Sequence, residues 1–128
     1  MNERAKETAV VLIAHGSRRD EANQDLRNLV SRLRQTGKAA IIEPAFLELA
    51  EPDIDFAVKL CLEQGARRVL LIPYFLSMGV HLTRDLSNAL ECLTKNHPEI
   101  DFRLGQSLGP SPLLDQLVCQ RIEESEGP

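Results

Sequence analysis

The chain has 128 residues, 43% of them hydrophobic and 27% charged, a balance that fits one domain over residues 1–128 with a single core. Its net charge of −4 at pH 7 argues against nucleic acid as a partner, which would call for a basic face. No apolar run approaches the roughly 20 residues of a membrane span, and Met1–Glu7 is a polar lead-in without the apolar stretch of a secretory signal. A cytoplasmic protein with no membrane contact is therefore expected. The three cysteines, Cys61, Cys92 and Cys119, form no CxxC pair and read as reduced thiols.

In chain order, Thr8 to Ala14 is a continuous apolar strand that ends just before His15-Gly16-Ser17. An amphipathic helix is expected from Asp20 to Gln35, with Asp20 as its cap, Ala22, Leu26, Leu29, Val30 and Leu33 on one face, and Gly37 as its stop. Lys38 to Leu47 is a second strand. A second helix has Pro52 in its first turn and Ile54, Ala57, Val58, Cys61 and Leu62 as its stripe, closed by Gly65. On that stripe Cys61 reads as packing.

Arg67 to Phe75 is a third, dense apolar strand. The third helix is expected from Leu82 to Lys95, with Leu82, Leu86, Ala89, Leu90 and Leu93 inward. Ile100 to Leu104 alternates as a fourth strand. A last helix begins at Ser111-Pro112 and carries Leu114, Leu117, Val118 and Ile122.

Strands alternating with helices across short connections predict an α/β fold with a parallel sheet. The first and third strands are apolar throughout, as central strands are. Pro44 cannot donate a ladder hydrogen bond and moves the second strand to an edge, while alternation places the fourth at the other edge. The expected order is 2-1-3-4, a flavodoxin-like half-sheet of four strands flanked by helices.

In such a sheet, ligands bind beyond the carboxyl ends of the strands where the order reverses. His15 follows the first strand, Glu48 the second, and His81 lies in the loop after the third, so three candidate ligands share one rim. Two imidazoles and a carboxylate suit a divalent ion such as Co²⁺, Fe²⁺, Ni²⁺ or Zn²⁺. They also suit metal insertion into a tetrapyrrole, where two pyrrole protons must find acceptors as the metal enters. His97, past the third helix, belongs to the opposite rim and the helix C-terminus.

Gly16-Ser17 opens a helix whose first amides can receive anions. Arg18, Arg19 and Arg84 stand close by, either to hold the carboxylates of an anionic macrocycle or to pair with Asp20 and Asp85. The apolar stretch Phe75 to Val80, with Met78 and the mobile Gly79, can face a flat macrocycle or a subunit interface.

These residues carry a family resemblance. Leu12-Ile13-Ala14-His15-Gly16-Ser17-Arg18, Ala45-Phe46-Leu47-Glu48, Pro73-Tyr74-Phe75-Leu76 with Gly79-Val80-His81, and Ser107-Leu108-Gly109 resemble, in order, the short-form sirohydrochlorin cobaltochelatase (CbiX-type) family of class II chelatases. The resemblance implies that His15 and His81 bind metal and take part in proton removal, with Glu48 assisting. Ser17, Arg18, Arg84, Met78 and Gly79 would then contact sirohydrochlorin. It implies Co²⁺ as the favoured substrate metal, with Fe²⁺ or Ni²⁺ as other choices, no organic cofactor, and a role in cobalamin or sirohaem biosynthesis. It also implies half of a two-lobed enzyme, hence a homodimer.

Many relatives have a histidine after the Leu-Gly pair, where this chain has Ser111. Two other readings stay open: a metal carrier without catalysis, and a histidine phosphatase. The latter lacks its arginine, because Ala14 precedes His15.

Overall fold

The computed structural model describes residues 7–127, and all but the last residue of the polar lead-in lies outside them. The strands are β1 (Thr8–Ala14), β2 (Ile41–Phe46), β3 (Arg68–Pro73) and β4 (Asp101–Leu104). They alternate with helices α1 (Asp20–Thr36), α2 (Ile54–Glu63), α3 (Val80–Asn96) and α4 (Pro112–Ser125). All strands are parallel in the order β2-β1-β3-β4. Pro44 does lie on an edge strand, and β4 alternates exposed and half-buried residues, as the patterning predicts.

One face of the sheet (Ala9, Val11, Ile13, Val69, Leu71) packs against Ala57, Val58, Cys61, Leu86 and Leu93 of α2 and α3. The other (Leu12, Ile42, Phe46) packs against Leu26 and Val30 of α1. Each fully buried Leu, Ile or Val stabilises by roughly 1.5–3 kcal/mol, so these two layers hold the rim in place. Burial pushes the Cys61 thiol up to about 12, so it is an inert packing residue, as its stripe predicts.

Several boundaries differ from expectation, each for a local reason. β2 starts at Ile41 because Ala9 is its first partner on β1, leaving residues 38–40 without a ladder. β3 ends at Pro73, opposite Ile13, although Tyr74 N–H still donates to the Ile13 carbonyl at 2.7 Å. β4 begins at Asp101, and Ile100 packs on the core just before it.

Pro52 precedes α2 instead of sitting in its first turn. Asp53 takes the cap position, its carboxylate accepting from Phe56 N–H at 2.9 Å. Asp20 does not cap α1: Arg19 occupies that position, and Asp20 pairs with Arg27 at 3.1 Å. Ala22 is exposed, and the buried residue beside it is Asn23. α3 begins two residues early, at Val80, because extended Gly79 starts it and accepts Thr83 N–H at 3.0 Å.

The largest departure concerns α4. It buries none of its residues, and Leu113, Leu117, Val118 and Ile122 stay exposed. Isolated helices of this length are marginal in water, because helices draw most of their stability from a packed apolar face. Among the described residues nothing buries that stripe.

Candidate active site

The rim is built by extending the parallel ladder past its last paired residues. Ala14 pairs with Phe46 at the ends of β1 and β2. Beyond them, Leu47 N–H donates to the Ala14 carbonyl and Glu48 N–H to the His15 carbonyl, each at 3.0 Å. This continued register sets the two functional side chains side by side. His15 Nε2 lies 3.0 Å from Glu48 Oε1, with side chains 63% and 58% exposed. Exposed pairs contribute little to stability, so this contact adds little to the fold. Nε2 faces the carboxylate, which leaves Nδ1 open to a ligand.

Gly16 permits this approach. Its φ is +99°, and a Cβ placed there would fall on the Glu48 carbonyl oxygen, 1.8 Å away. Ser17 is then held by Asn23: Ser17 N–H donates to Asn23 Oδ1 at 2.9 Å, and Asn23 Nδ2 donates to the Ser17 carbonyl at 2.8 Å. Asn23 was not among the residues singled out from sequence. Its signal was present, because Asn23, Leu26 and Val30 share the buried face of α1, where an amide is out of place unless it has partners.

His81 is not in a loop, as expected, but in the first turn of α3, exposed. Among the described residues no third His, Cys, Asp or Glu joins His15 and Glu48 as a metal-holding group. His97 ends α3 at the opposite rim, its N–H donating to the Leu93 carbonyl at 2.9 Å and its ring 6.0 Å from that of Phe102.

Arg18, Arg19 and Arg84 are exposed, and among the described residues none of them makes an ion pair. The alternative pairing with Asp20 is not formed, since Arg27 takes that carboxylate. In the apolar stretch, Phe75 and Met78 pack on the core, while Leu76 and Val80 stay 69% and 72% exposed. The last loop closes on it, with Leu108 N–H donating to the Phe75 carbonyl at 2.9 Å. Ser111 caps α4, its hydroxyl accepting from Leu113 N–H at 3.2 Å.

On the outer flank of Glu48, between β2 and α2, lies an open hollow of about 920 Å³ lined by Glu43, Glu48, Glu51, Asp53, Leu49 and Phe56 among others. Its carboxylates suit cations and repel polyanions.

The CbiX family model matches residues 9–125. The chain belongs to the CbiX family. This CbiX chain is 38% identical over 114 residues to the chloroplastic sirohydrochlorin ferrochelatase of Arabidopsis thaliana, covering 89% of this chain and 51% of that protein. It is 33% identical over 120 residues to the sirohydrochlorin cobaltochelatase of Priestia megaterium, covering 94% and 39%. It thus spans about half or less of these two relatives' length. A CbiX protein from Marinobacter aquaeolei VT8 shares its fold at a TM-score of 0.81 and 27% identity, covering 92% of this chain and 96% of that one.

Proposed function

We propose that this chain inserts a divalent metal into sirohydrochlorin as one lobe of a homodimeric chelatase. The observation that carries the reading is the exposed His15–Glu48 pair at 3.0 Å, on a rim whose family relatives are named for sirohydrochlorin metallation. As the metal, the second substrate, enters the macrocycle, two pyrrole N–H bonds break and two protons leave. His15 Nδ1 accepts one while Nε2–H passes its proton towards Glu48, whose carboxylate also offsets the metal's charge. The exposed imidazole of His81, in the first turn of α3, accepts the second proton.

The macrocycle is an anionic ring. The carboxylate-lined hollow disfavours it on the outer flank of Glu48, so it lies on the inner flank. There Arg18, Ser17 and Arg84 meet its carboxylates, and Leu76, Met78, Gly79 and Val80 line its apolar face. Co²⁺ is the favoured metal, with Fe²⁺ or Ni²⁺ open, since the donor set serves all three.

One fact supports a second copy: among the described residues nothing buries the apolar stripe of α4. A dimer also places a second rim opposite the first, where His15 and Glu48 on one protomer can face a macrocycle held by both. A cytoplasmic setting suits the three free cysteines.

The test is anaerobic mixing of the protein with sirohydrochlorin and Co²⁺ or Fe²⁺, followed by absorbance. Acceleration that is lost in His15→Ala and His81→Ala supports the reading. Rates equal to the no-enzyme control sink it, and tight Co²⁺ retention in that case would favour a metal carrier.

A further inference from the structure

We infer that Asn23 is a positioning residue for His15, acting through the peptide of Ser17; this deepens the chelatase reading and rests on it. Asn23 is 5% exposed and is the buried polar residue among the described ones. A buried amide is costly unless it is paired, and this one spends its oxygen and its nitrogen on the two backbone groups of a single residue, Ser17. It lies on α1, on the face that buries Leu26 and Val30, so its anchor is the core itself.

The geometry explains why His15 needs such an anchor. On its N-terminal side His15 is fixed by β1, and on its C-terminal side its carbonyl accepts Glu48 N–H at 3.0 Å. Next comes Gly16, at φ +99°, the residue type that moves most freely about its backbone. Arg19, which starts α1, provides no side-chain cap. Ser17 instead donates one bond to Asn23 and accepts one from it, and its hydroxyl accepts Arg19 N–H at 3.0 Å. Asn23 therefore locks the far end of a glycine hinge whose near end carries the imidazole. With the lock released, Gly16 can turn, the His15 carbonyl slips from Glu48 N–H, and the His15 ring leaves Glu48.

A purely structural Asn23 would stabilise α1 and leave the ring where it is. The two roles separate in the response of the His15 ring proton resonance to Glu48→Gln, read at one fixed pH. In the wild-type background that substitution shifts the resonance; in Asn23→Ala the response is expected to vanish. Ser17 amide exchange is expected to rise to that of an open loop, while the Leu12 amide in β1 stays protected. For Co²⁺ insertion into sirohydrochlorin, kcat falls about 100-fold with KM little changed, the scale of a misplaced reacting group.

Asn23→Asp keeps the acceptor for Ser17 N–H and loses the donor to its carbonyl. It should fall between wild type and Asn23→Ala, and it decides the matter if the alanine variant does not fold. An undiminished His15 response, a still-protected Ser17 amide, or an unchanged kcat would each overturn the assignment. If the wild-type chain inserts no metal, the chelatase reading fails, and the His15 response alone decides the positioning.

Discussion

The carbonyl oxygen of Glu48 lies 1.8 Å from where a Cβ on Gly16 would have to be. The loop after β1 and the loop after β2 meet there backbone to backbone, and the contact of His15 with Glu48 depends on that approach. Gly16→Ala must push the two loops apart while holding a positive φ, a strain that alone costs about 1–3 kcal/mol. Denaturant unfolding should show at least that loss. Metal insertion should fall further than the stability loss explains, because His15 and Glu48 separate.

Glu48→Gln keeps shape and hydrogen bonding but removes the charge that, in the proposed mechanism, receives the proton from His15 Nε2. Insertion should slow by about 100- to 10,000-fold, the range of general acid–base catalysis, with the melting temperature little changed, because the pair is exposed. A large loss of stability with normal turnover would assign Glu48 a structural role.

The stripe on α4 should bind a second copy. Leu117→Glu with Ile122→Glu puts charges into that face, 40% and 53% exposed in the single chain. Sedimentation should show the wild-type chain as a dimer and the double variant as a monomer that keeps its far-UV spectrum. A wild-type monomer at micromolar concentration would refute the pairing.

Asp101 on edge strand β4 pairs with Arg103 on the same strand and with Arg68 on neighbouring β3, at 3.1 Å each. The hydrogen bond from Arg103, helped by that from Arg68, holds its carboxyl below the usual carboxylate range. A depressed folded value means the stabilisation is complete above the unfolded carboxylate's value, about 3.9. It drains away as pH falls through the lower folded value. Asp101→Asn should thus be less stable than wild type at neutral pH, with the gap closing in acid, as urea melts at the two pH values will show.

The Cys61 thiol, buried and pushed up to about 12, should resist alkylation in the native protein, whereas exposed Cys92 and Cys119 react. Intact mass should show two adducts when folded and three in denaturant. A third native adduct would mean that the α2 layer opens readily.

Much of this protein is determined by local chemistry that can be read along the chain. Pro44 cannot serve an interior strand, and unbroken apolar runs demand cover on both faces. Those two facts suffice for the order β2-β1-β3-β4. Chain order alone puts His15 and Glu48 just past the carboxyl ends of neighbouring parallel strands.

Tertiary structure decided what depends on register and packing. Whether His15 touches Glu48 rests on Ala14 standing opposite Phe46, a pairing between segments remote in sequence. Asn23 is marked in sequence only by its spacing from Leu26 and Val30, and its two bonds to Ser17 exist only once the helix turns it into the core. Gly79 reads as a flexible loop residue until its carbonyl receives Thr83 N–H and carries His81 into a helix. The same holds for α4, whose apolar stripe is plain in the sequence: patterning states that a face needs cover, and only the fold shows that none of the described residues buries it.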